Sequence, residues 1–298
     1  MNDSSKVNSN RHAYLIICHN NFNHLSKLIK ALDDGRNDIY IHVDKKTKYC
    51  PFEHISKSAQ KARLFLVKRH SVNWGGDSQI WVEMLLLKEA TKTFHDYYHL
   101  ISGMDFPIKS QNFIHDFFKS NKGKEYIQFD PDVVRKSEFC DRVRYYYFFQ
   151  NLIGHNKGKI PALCYNLQEL SLSIQKKTHI DRTKRLPFKI YKGTNWFSIT
   201  HNLALFLIQN QKAIKHLCRF SLCADELFLQ TFAMISPFRN NIVDDSLRYI
   251  DWERGKPYTF TEADYNELVN ANKLFARKFD ENISKKVVDR ILNSVNNF

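Results

Sequence analysis

AYLIIC (residues 13–18) is a short, continuous run of apolar residues, followed at once by polar ones. A run of this kind is typical of a strand buried on both faces. IYIHVD (39–44), RLFLV (63–67), YYHLIS (97–102) and EYIQF (125–129) repeat the pattern, and helical stretches lie between them. Strands that alternate with helices predict an α/β fold with a mainly parallel central sheet flanked by helices.

The pattern continues in the second half of the chain. Three further stretches predict strands: KGTNWFSIT (192–200), LRYIDW (247–252) and LFARKF (274–279). The segment 131–190 is less regular, basic and aromatic, with one predicted helix around 162–175. We find no repeat, linker or domain boundary, and therefore expect a single domain over residues 1–298 with a flexible N-terminus at 1–12.

Composition narrows the class of protein. The 298 residues are 43% apolar and 26% charged, and no apolar run approaches the ~20 residues of a membrane span. The first residues lack the apolar core of a signal peptide, which favours a cytoplasmic protein. The six cysteines are scattered without zinc-site spacing, so we expect buried free thiols, which fit a reducing compartment. A net charge of +14 favours an anionic partner, either a nucleic acid, a membrane surface or a phosphorylated substrate.

The sequence lacks the motifs of several classes of enzyme. The chain has neither of the glycine-rich nucleotide loops, G-x-x-x-x-G-K-[ST] and G-x-G-x-x-G, and no G-x-S-x-G elbow. It has one D-x-D tripeptide, Asp130-Pro131-Asp132. In a sugar-nucleotide transferase such a pair holds a cation that neutralises the leaving diphosphate, so a metal-dependent transferase using Asp130 and Asp132 is one alternative.

A second acidic pair, Asp225 and Glu226, opens the apolar stretch ADELFLQT. Acids in the first turn of a helix interact favourably with the helix macrodipole, by ~0.3–1 kcal/mol, and one acid is enough for that effect. The residues alone leave two interpretations open. The pair is either a helix cap or a carboxylate held at the mouth of a pocket.

A series of sequence blocks, taken in order, resembles the core-2/I-branching glycosyltransferase family. This family includes β-1,6-N-acetylglucosaminyltransferases and peptide O-xylosyltransferases. The resemblance extends from residue 13 to about residue 282 and is weakest over 130–190. The blocks are AYLIICHNNFNHLSKLIKAL with IYIHVDKK, SVNWGGDSQI, YYHLISGMDFPIKS, KGTNWFSIT, ADELFLQT, LRYIDW and LFARKFD.

The resemblance implies a GT-A type fold, an inverting mechanism and no metal or other cofactor. It places Glu226 on the family's catalytic base, although Ala224 stands where the family block usually has proline. A glutamate partly shielded from water would have a raised pKa suited to taking a proton from the acceptor hydroxyl. Asp225 would then cap the helix or orient the base.

The resemblance also implies binding residues. Lys278 matches the diphosphate-binding lysine, and Arg277 is expected on the opposite face of the strand. The second basic partner remains open among Arg248, Arg254 and Lys256. Trp74 either stacks beside the nucleotide or packs in the core. The full donor set is Ile17, Asp44, Trp74, Lys278, Arg248, Arg254 and Lys256, and the acceptor set is Asp105, Trp252 and Arg144.

From these observations we expect a metal-independent inverting transferase that moves a sugar from a UDP-sugar to a glycan hydroxyl. The first choice of sugar is N-acetylglucosamine and the second is xylose. We expect a role in bacterial surface polysaccharide or lipooligosaccharide synthesis, with a lipid-linked acceptor and a peripheral location on the inner face of an anionic membrane. A nucleic-acid-binding protein is the other alternative, suggested by charge alone, but the basic residues are not interleaved with aromatic ones and no nucleic acid is predicted as a partner.

Overall fold

The computed structural model describes residues 10–130, 136–154 and 158–296. The strands are β1 (His12–Cys18), β2 (Asn37–Val43), β3 (Arg63–Leu66), β4 (Tyr97–Ser102), β5 (Asp105–Pro107), β6 (Glu125–Phe129), β7 (Gly193–Thr200), β8 (Ile242–Val243), β9 (Arg248–Ile250) and β10 (Phe275–Arg277). The helices are α1 (Phe22–Ala31), α2 (Phe52–Ser56), α3 (Ser78–Ala90), α4 (Gln111–Ser120), α5 (Lys136–Arg144), α6 (Gln150–Ile153), α7 (Lys159–Lys177), α8 (His201–Gln209), α9 (Gln211–Cys218), α10 (Phe228–Ile235), α11 (Tyr265–Asn270) and α12 (Lys285–Asn296).

Seven strands form the central sheet, in the order β3-β2-β1-β4-β7-β6-β8. β1 pairs in parallel with β2 and β4, and β2 pairs in parallel with β3. β7 runs antiparallel to both β4 and β6, and β6 is parallel to β8. Within this sheet β7 is therefore the reversed strand, and the predicted α/β class with a mainly parallel central sheet flanked by helices is confirmed.

The sheet is covered on both faces, as the continuous apolar runs predict. Tyr14 and Ile16 of β1 pack into a cluster with apolar residues of α1, α4 and α12. Ala13 and Leu15, on the opposite face, pack with residues of α3, α8 and α10. Because successive side chains of a strand alternate between faces, a strand with a helix layer on each side must be apolar throughout.

A smaller sheet, ordered β5-β10-β9, lies at the end of β4. β5 begins at Asp105, directly after Gly103 and Met104 have carried the chain out of β4. β10 pairs antiparallel with β5 and parallel with β9, which places Arg277 opposite both Asp105 and Ile250. This small sheet brings the C-terminal part of the chain to the carboxyl edge of the central sheet, where open parallel sheets bind ligands.

Helices across the described ranges are all too short or too polar to span a bilayer. The predicted helix around 162–175 is confirmed by α7, which lies inside the basic middle region.

Candidate active site

The predicted donor residues Ile17 and Asp44 lie side by side at the carboxyl ends of β1 and β2. The backbone N–H of Asp44 donates to Cys18 O at 2.9 Å, and the N–H of Gly103, just after β4, donates to Ile17 O at 2.9 Å. The carboxylate of Asp44 is nearly buried, and its Oδ1 accepts from the N–H of Lys46 at 2.9 Å and of Val72 at 3.3 Å. The structure thus brings these residues together at the predicted edge.

Trp74 lies in the loop between β3 and α3 and is 51% exposed, so the core alternative for this residue is wrong. Its backbone carbonyl accepts from Gln150 Nε2 at 3.2 Å. The next carbonyl, of Gly75, accepts from the N–H of Cys223 at 2.8 Å. The loop that carries the exposed indole is therefore tied to the turn that leads into Glu226.

That turn is a 3₁₀ helix, Ala224–Glu226, which precedes α10. Cys223, just before it, has φ of 46°, a left-handed conformation that is uncommon for a residue with a side chain. The Glu226 side chain is 38% exposed. One of its oxygens, Oε2, accepts from Arg142 Nη1 at 2.6 Å and lies 3.6 Å from Lys192 Nζ. A partly shielded carboxylate with two basic neighbours thus lies at this edge.

Arg142 was not predicted from the sequence, whereas Arg144, two residues further along the same helix, was. Residues two apart on a helix face nearly opposite ways. Arg144 accordingly turns from Glu226, donates to Asp141 Oδ1 at 2.5 Å and approaches Asp181 Oδ2 at 3.5 Å. The structure does not bring Arg144 to the site, because Arg142 takes that position.

Asp225 does not cap α10, contrary to one of the two expectations. The residue before that helix is Leu227, and no side chain caps it. Asp225 is instead buried, and its Oδ2 accepts from Gln79 Nε2 at 3.2 Å, while Gln79 Oε1 accepts from the N–H of Gly75 at 2.5 Å. Burial, and then the neighbouring Glu226 carboxylate, raise the pKa of Asp225 to about 7. Gln79 therefore connects the Trp74 loop to the acidic pair.

Asp105 is fully buried, and its carboxylate is engaged within the protein. Oδ2 accepts from the N–H of Ser102 at 2.8 Å. Oδ1 accepts from Ser102 Oγ and from Arg277 Nη1, each at 2.8 Å. The tight turn from β4 into β5 folds this side chain back on Ser102, so the expectation of direct contact between Asp105 and a sugar is not met.

Arg277 and Lys278 both lie at this edge, and the sequence predicts that they face opposite ways as neighbours on one strand. β10 ends at Arg277, and strand alternation does not continue to Lys278. The Arg277 guanidinium lies 4.5 Å above the Trp196 ring and its side chain is 19% exposed. The backbone of Lys278 is held by Tyr258 O, at 3.3 Å from its N–H, and by the N–H of Phe260, at 3.0 Å from its carbonyl.

His19 lies near several charged side chains of the candidate site. Burial lowers the pKa of His19, the Asp44 carboxylate opposes this effect, and Lys46, Lys278 and Arg277 lower the pKa further. Two donor residues named from the sequence, Asp44 and Lys278, are therefore close enough to the same imidazole to influence its charge.

The three candidates for the second basic partner of Lys278 have different environments. Arg248 is buried and donates to the carbonyls of Leu100 and Phe197 at 2.8 and 2.7 Å, and burial lowers its pKa to about 10. Arg254 is bound by three carboxylates, those of Asp251, Asp264 and Glu267. Lys256 is exposed. Arg248 and Arg254 are both engaged within the protein, so neither is placed to bind a diphosphate.

Trp252 is 61% exposed and follows β9, two residues beyond Ile250, the neighbour of Arg277 in the small sheet. Its role in acceptor binding stays a prediction.

The first member of the D-x-D pair also reaches the site. Asp130 forms an ion pair with Lys192, the same residue that approaches Glu226. Asp132 lies outside the described residues. Among the residues that the structure describes, no cluster of three histidine, cysteine or acidic side chains has a metal-binding arrangement. The resulting chain of charges is Arg142, Glu226, Lys192 and Asp130.

Comparisons with known proteins bear on the family. Residues 12–271 match the family model for the Core-2/I-Branching enzyme. A xylosyltransferase of Ciona intestinalis is 21% identical over 94% of this chain, and human N-acetyllactosaminide beta-1,6-N-acetylglucosaminyl-transferase is 25% identical over 91%. The chain spans 34% of the first relative and 68% of the second. A solved structure, mouse xyloside xylosyltransferase 1 in its apo form, aligns over 89% of this chain and 96% of its own with a TM-score of 0.37 and 9% identity. Because the family model covers most of the sequence, the chain belongs to the core-2/I-branching enzyme family.

Proposed function

We propose that this protein is an inverting glycosyltransferase that moves a sugar from a UDP-sugar to a glycan hydroxyl, with Glu226 as the general base. The observation that carries the proposal is the position of Glu226. Its carboxylate is reachable from solvent, at the carboxyl edge of the sheet, on a turn bonded to the loop that carries Trp74. N-acetylglucosamine is the first choice of sugar and xylose the second, supported by the names of the relatives.

The proposed reaction is a single displacement. Glu226 takes the proton of the acceptor hydroxyl, and the hydroxyl oxygen forms a bond to the anomeric carbon. The bond from that carbon to the diphosphate oxygen breaks on the opposite side, and its electron pair leaves with UDP. Because one displacement inverts the anomeric centre, one base is sufficient and no covalent sugar–enzyme intermediate forms.

Negative charge develops on the diphosphate as it leaves, and positive groups must stabilise it. We infer that Lys278 and Arg277 supply this charge. Arg277 takes the role of second basic partner, for which Arg248, Arg254 and Lys256 were the candidates. Asp105 and Ser102 hold Arg277 by one nitrogen, and Trp196 lies against the guanidinium plane, so the side chain is fixed before UDP binds. Asp105 is thus a positioning residue for the donor.

We further propose that transfer is metal-independent. The supporting observation is the Asp130–Lys192 ion pair, in which the lysine ammonium already neutralises the Asp130 carboxylate. The acceptor would lie near Glu226 and Trp252. A lipid-linked acceptor, a role in bacterial surface polysaccharide or lipooligosaccharide synthesis, and a cytoplasmic location at the inner membrane face belong to the same proposal, supported by the net charge of +14.

A donor panel tests this function. Thermal shift and hydrolysis are measured with UDP-N-acetylglucosamine, UDP-xylose and other sugar nucleotides, each with and without EDTA. We expect stabilisation by UDP-sugars and turnover that EDTA does not change. Turnover that is lost in EDTA and restored by Mn²⁺ would establish the metal-dependent alternative instead.

A further inference from the structure

Helix α7 presents a row of apolar side chains to solvent. Five residues spaced by three and four positions lie along one side of the helix and are 41 to 72% exposed: Ile160, Leu163, Leu167, Leu170 and Ile174. The row runs for about four turns, roughly 21 Å at 1.5 Å per residue. Exposed apolar residues scattered singly are ordinary, whereas a contiguous row of this length marks an interaction surface.

The buried side of α7 explains why this row faces outward. The side chains buried beneath the helix include two glutamines, Gln168 and Gln175. Gln168 Oε1 accepts from the N–H of Phe149 at 3.0 Å, and Gln175 Oε1 accepts from the N–H of Tyr146 at 2.7 Å. The helix is thus anchored to the segment before it by polar bonds, and its apolar row remains outside. This is the reverse of the usual surface helix, whose apolar face packs on the core.

Basic residues flank the apolar row. Lys159 precedes it and Lys176 and Lys177 follow it, and all three are exposed. Beyond the helix the exposed basic residues continue: Lys184, Arg185 and Lys189. The helix carries one acid, Glu169. An apolar row with basic ends complements a bilayer of anionic lipids, in which acyl chains meet negative headgroups.

A second copy of the chain fits this surface less well. Spacing of three and four residues also suits a pair of helices, but such pairs are stabilised by opposite charges beside the seam. Two copies of α7 would place lysines near lysines, with one glutamate on each helix to offset them, on molecules that each carry a net charge of +14.

We propose that α7 is an interfacial membrane-binding helix that inserts its apolar row into the surface of an anionic bilayer. The inference deepens the membrane location proposed above by naming the helix that makes the contact, and its evidence is α7 itself. The segment that anchors α7 also reaches the candidate site, since Gln150 donates to the Trp74 carbonyl. Membrane contact through α7 would therefore hold the site near the bilayer surface, where a lipid-linked acceptor lies.

The test is sedimentation of the full chain with vesicles of phosphatidylcholine alone or with phosphatidylglycerol added. Wild-type protein should bind the anionic vesicles, and added salt should weaken that binding. Leu163→Ser with Leu170→Ser should reduce binding to anionic vesicles about tenfold or more, because two apolar side chains no longer insert into the bilayer. A matched pair with similar exposure elsewhere, Phe113→Ser with Ile283→Ser, should bind like wild type.

A second variant changes charge and leaves the apolar row intact. Lys176→Gln with Lys177→Gln and Lys184→Gln should also weaken binding to anionic vesicles. Thermal unfolding of every variant checks that the fold is intact. The proposal is overturned if wild type does not bind anionic vesicles, or if the leucine pair binds as tightly as the control pair. It is equally overturned if wild type is a dimer in solution that the leucine changes dissociate, since a second copy then covers the row. Lipid binding requires no turnover, so this outcome is independent of the donor panel.

Discussion

Two carboxylates at the same edge of the sheet, Asp105 and Glu226, have opposite environments. Asp105 is fully buried; its Oδ2 accepts from Ser102, and its Oδ1 accepts from Ser102 and Arg277. Glu226 is 38% exposed, on a turn, with Arg142 bound to one oxygen. The first carboxylate holds a neighbouring side chain in place, and the second is able to meet a substrate.

The comparison teaches that position at a strand end does not make an acid available for chemistry. The turn after β4 directs Asp105 inward, where an unpaired charge would be costly, so the protein surrounds it with donors. The turn before α10 leaves Glu226 at the surface with part of its carboxylate open. Variants at each residue should therefore change different properties.

The largest effect is expected at the open carboxylate. Glu226→Gln should slow transfer about 10²–10⁴-fold, because the amide cannot accept the acceptor's proton. UDP affinity and melting temperature should remain close to wild type, since the side chain is partly exposed. Calorimetry with UDP and a transfer assay on the same preparation measure both. Turnover near the wild-type rate would remove Glu226 from the role of base.

Replacing the buried carboxylate of Asp105 should lower the stability of the protein. Asp105→Asn leaves Arg277 without its carboxylate and should lower the free energy of unfolding by roughly 2–4 kcal/mol, with weaker UDP binding as a consequence. Asp141→Asn is the matched control, because it removes a partly exposed partner of Arg144 and should cost about 1 kcal/mol or less. Urea unfolding measures both. Equal stability of the two variants would show that Asp105 is not the anchor we describe.

Arg277 and Lys278 are proposed to bind the donor diphosphate, and variants at the two positions test this role. Alanine at either position should weaken UDP binding, each charge-assisted contact being worth ~1.5–3 kcal/mol. Arg254→Ala should leave UDP affinity unchanged, because three carboxylates already occupy that guanidinium. Calorimetry with UDP compares the three variants. A larger loss from Arg254→Ala than from the other two would shift the diphosphate site to the segment that follows β9.

The smallest effect should come from Asp225, which is buried like Asp105 but accepts a hydrogen bond from an amide, that of Gln79, where Asp105 accepts from an arginine. Its pKa is raised to about 7, so the folded state holds this proton more tightly than the unfolded state does. The resulting stabilisation of wild type is complete below about pH 4 and is lost as pH rises through about 7. Asp225→Asn carries no ionisable group at this position, so it does not lose this stabilisation as pH rises.

The stability of Asp225→Asn relative to wild type should accordingly increase between about pH 5 and pH 8, by about 1 kcal/mol or more. Glu226 also raises the pKa of Asp225, and Arg142 lowers it. Asp225 in turn contributes to the raised pKa of the buried Glu83 on α3. Urea unfolding at the two pH values gives the difference. A difference that stays constant with pH would show that Asp225 is already ionised at the lower pH.

The sheet could be predicted from the sequence because a strand buried on both faces has a continuous run of apolar residues. AYLIIC must be apolar throughout, and the strand predicted at 13–18 is observed at 12–18. Glu226 could also be named, since it lies in a block shared with the family. The helix expected to begin at Asp225 was less accurate, because Leu227 interrupts it and leaves a 3₁₀ turn.

The partners of the site could not be predicted, because they depend on contacts between distant segments. Arg142 and Arg144 are equivalent in the sequence, and the orientation of α5 decides which one reaches Glu226. Arg248 was a candidate ligand of the diphosphate, yet it is buried and bonded to the carbonyls of Leu100 and Phe197. Arg277 was expected to face away because alternation was extended one residue beyond the end of β10.

The central claim is that Glu226 supports a single displacement at the sugar, and the configuration of the product tests it most directly. Wild-type enzyme is given an α-linked UDP-sugar and an acceptor in the presence of EDTA, and proton NMR records the anomeric signal of the first product formed. Direct attack by an oxygen that Glu226 has deprotonated predicts a β-linked product. An α-linked product would contradict the account, because one base and one displacement cannot retain the configuration.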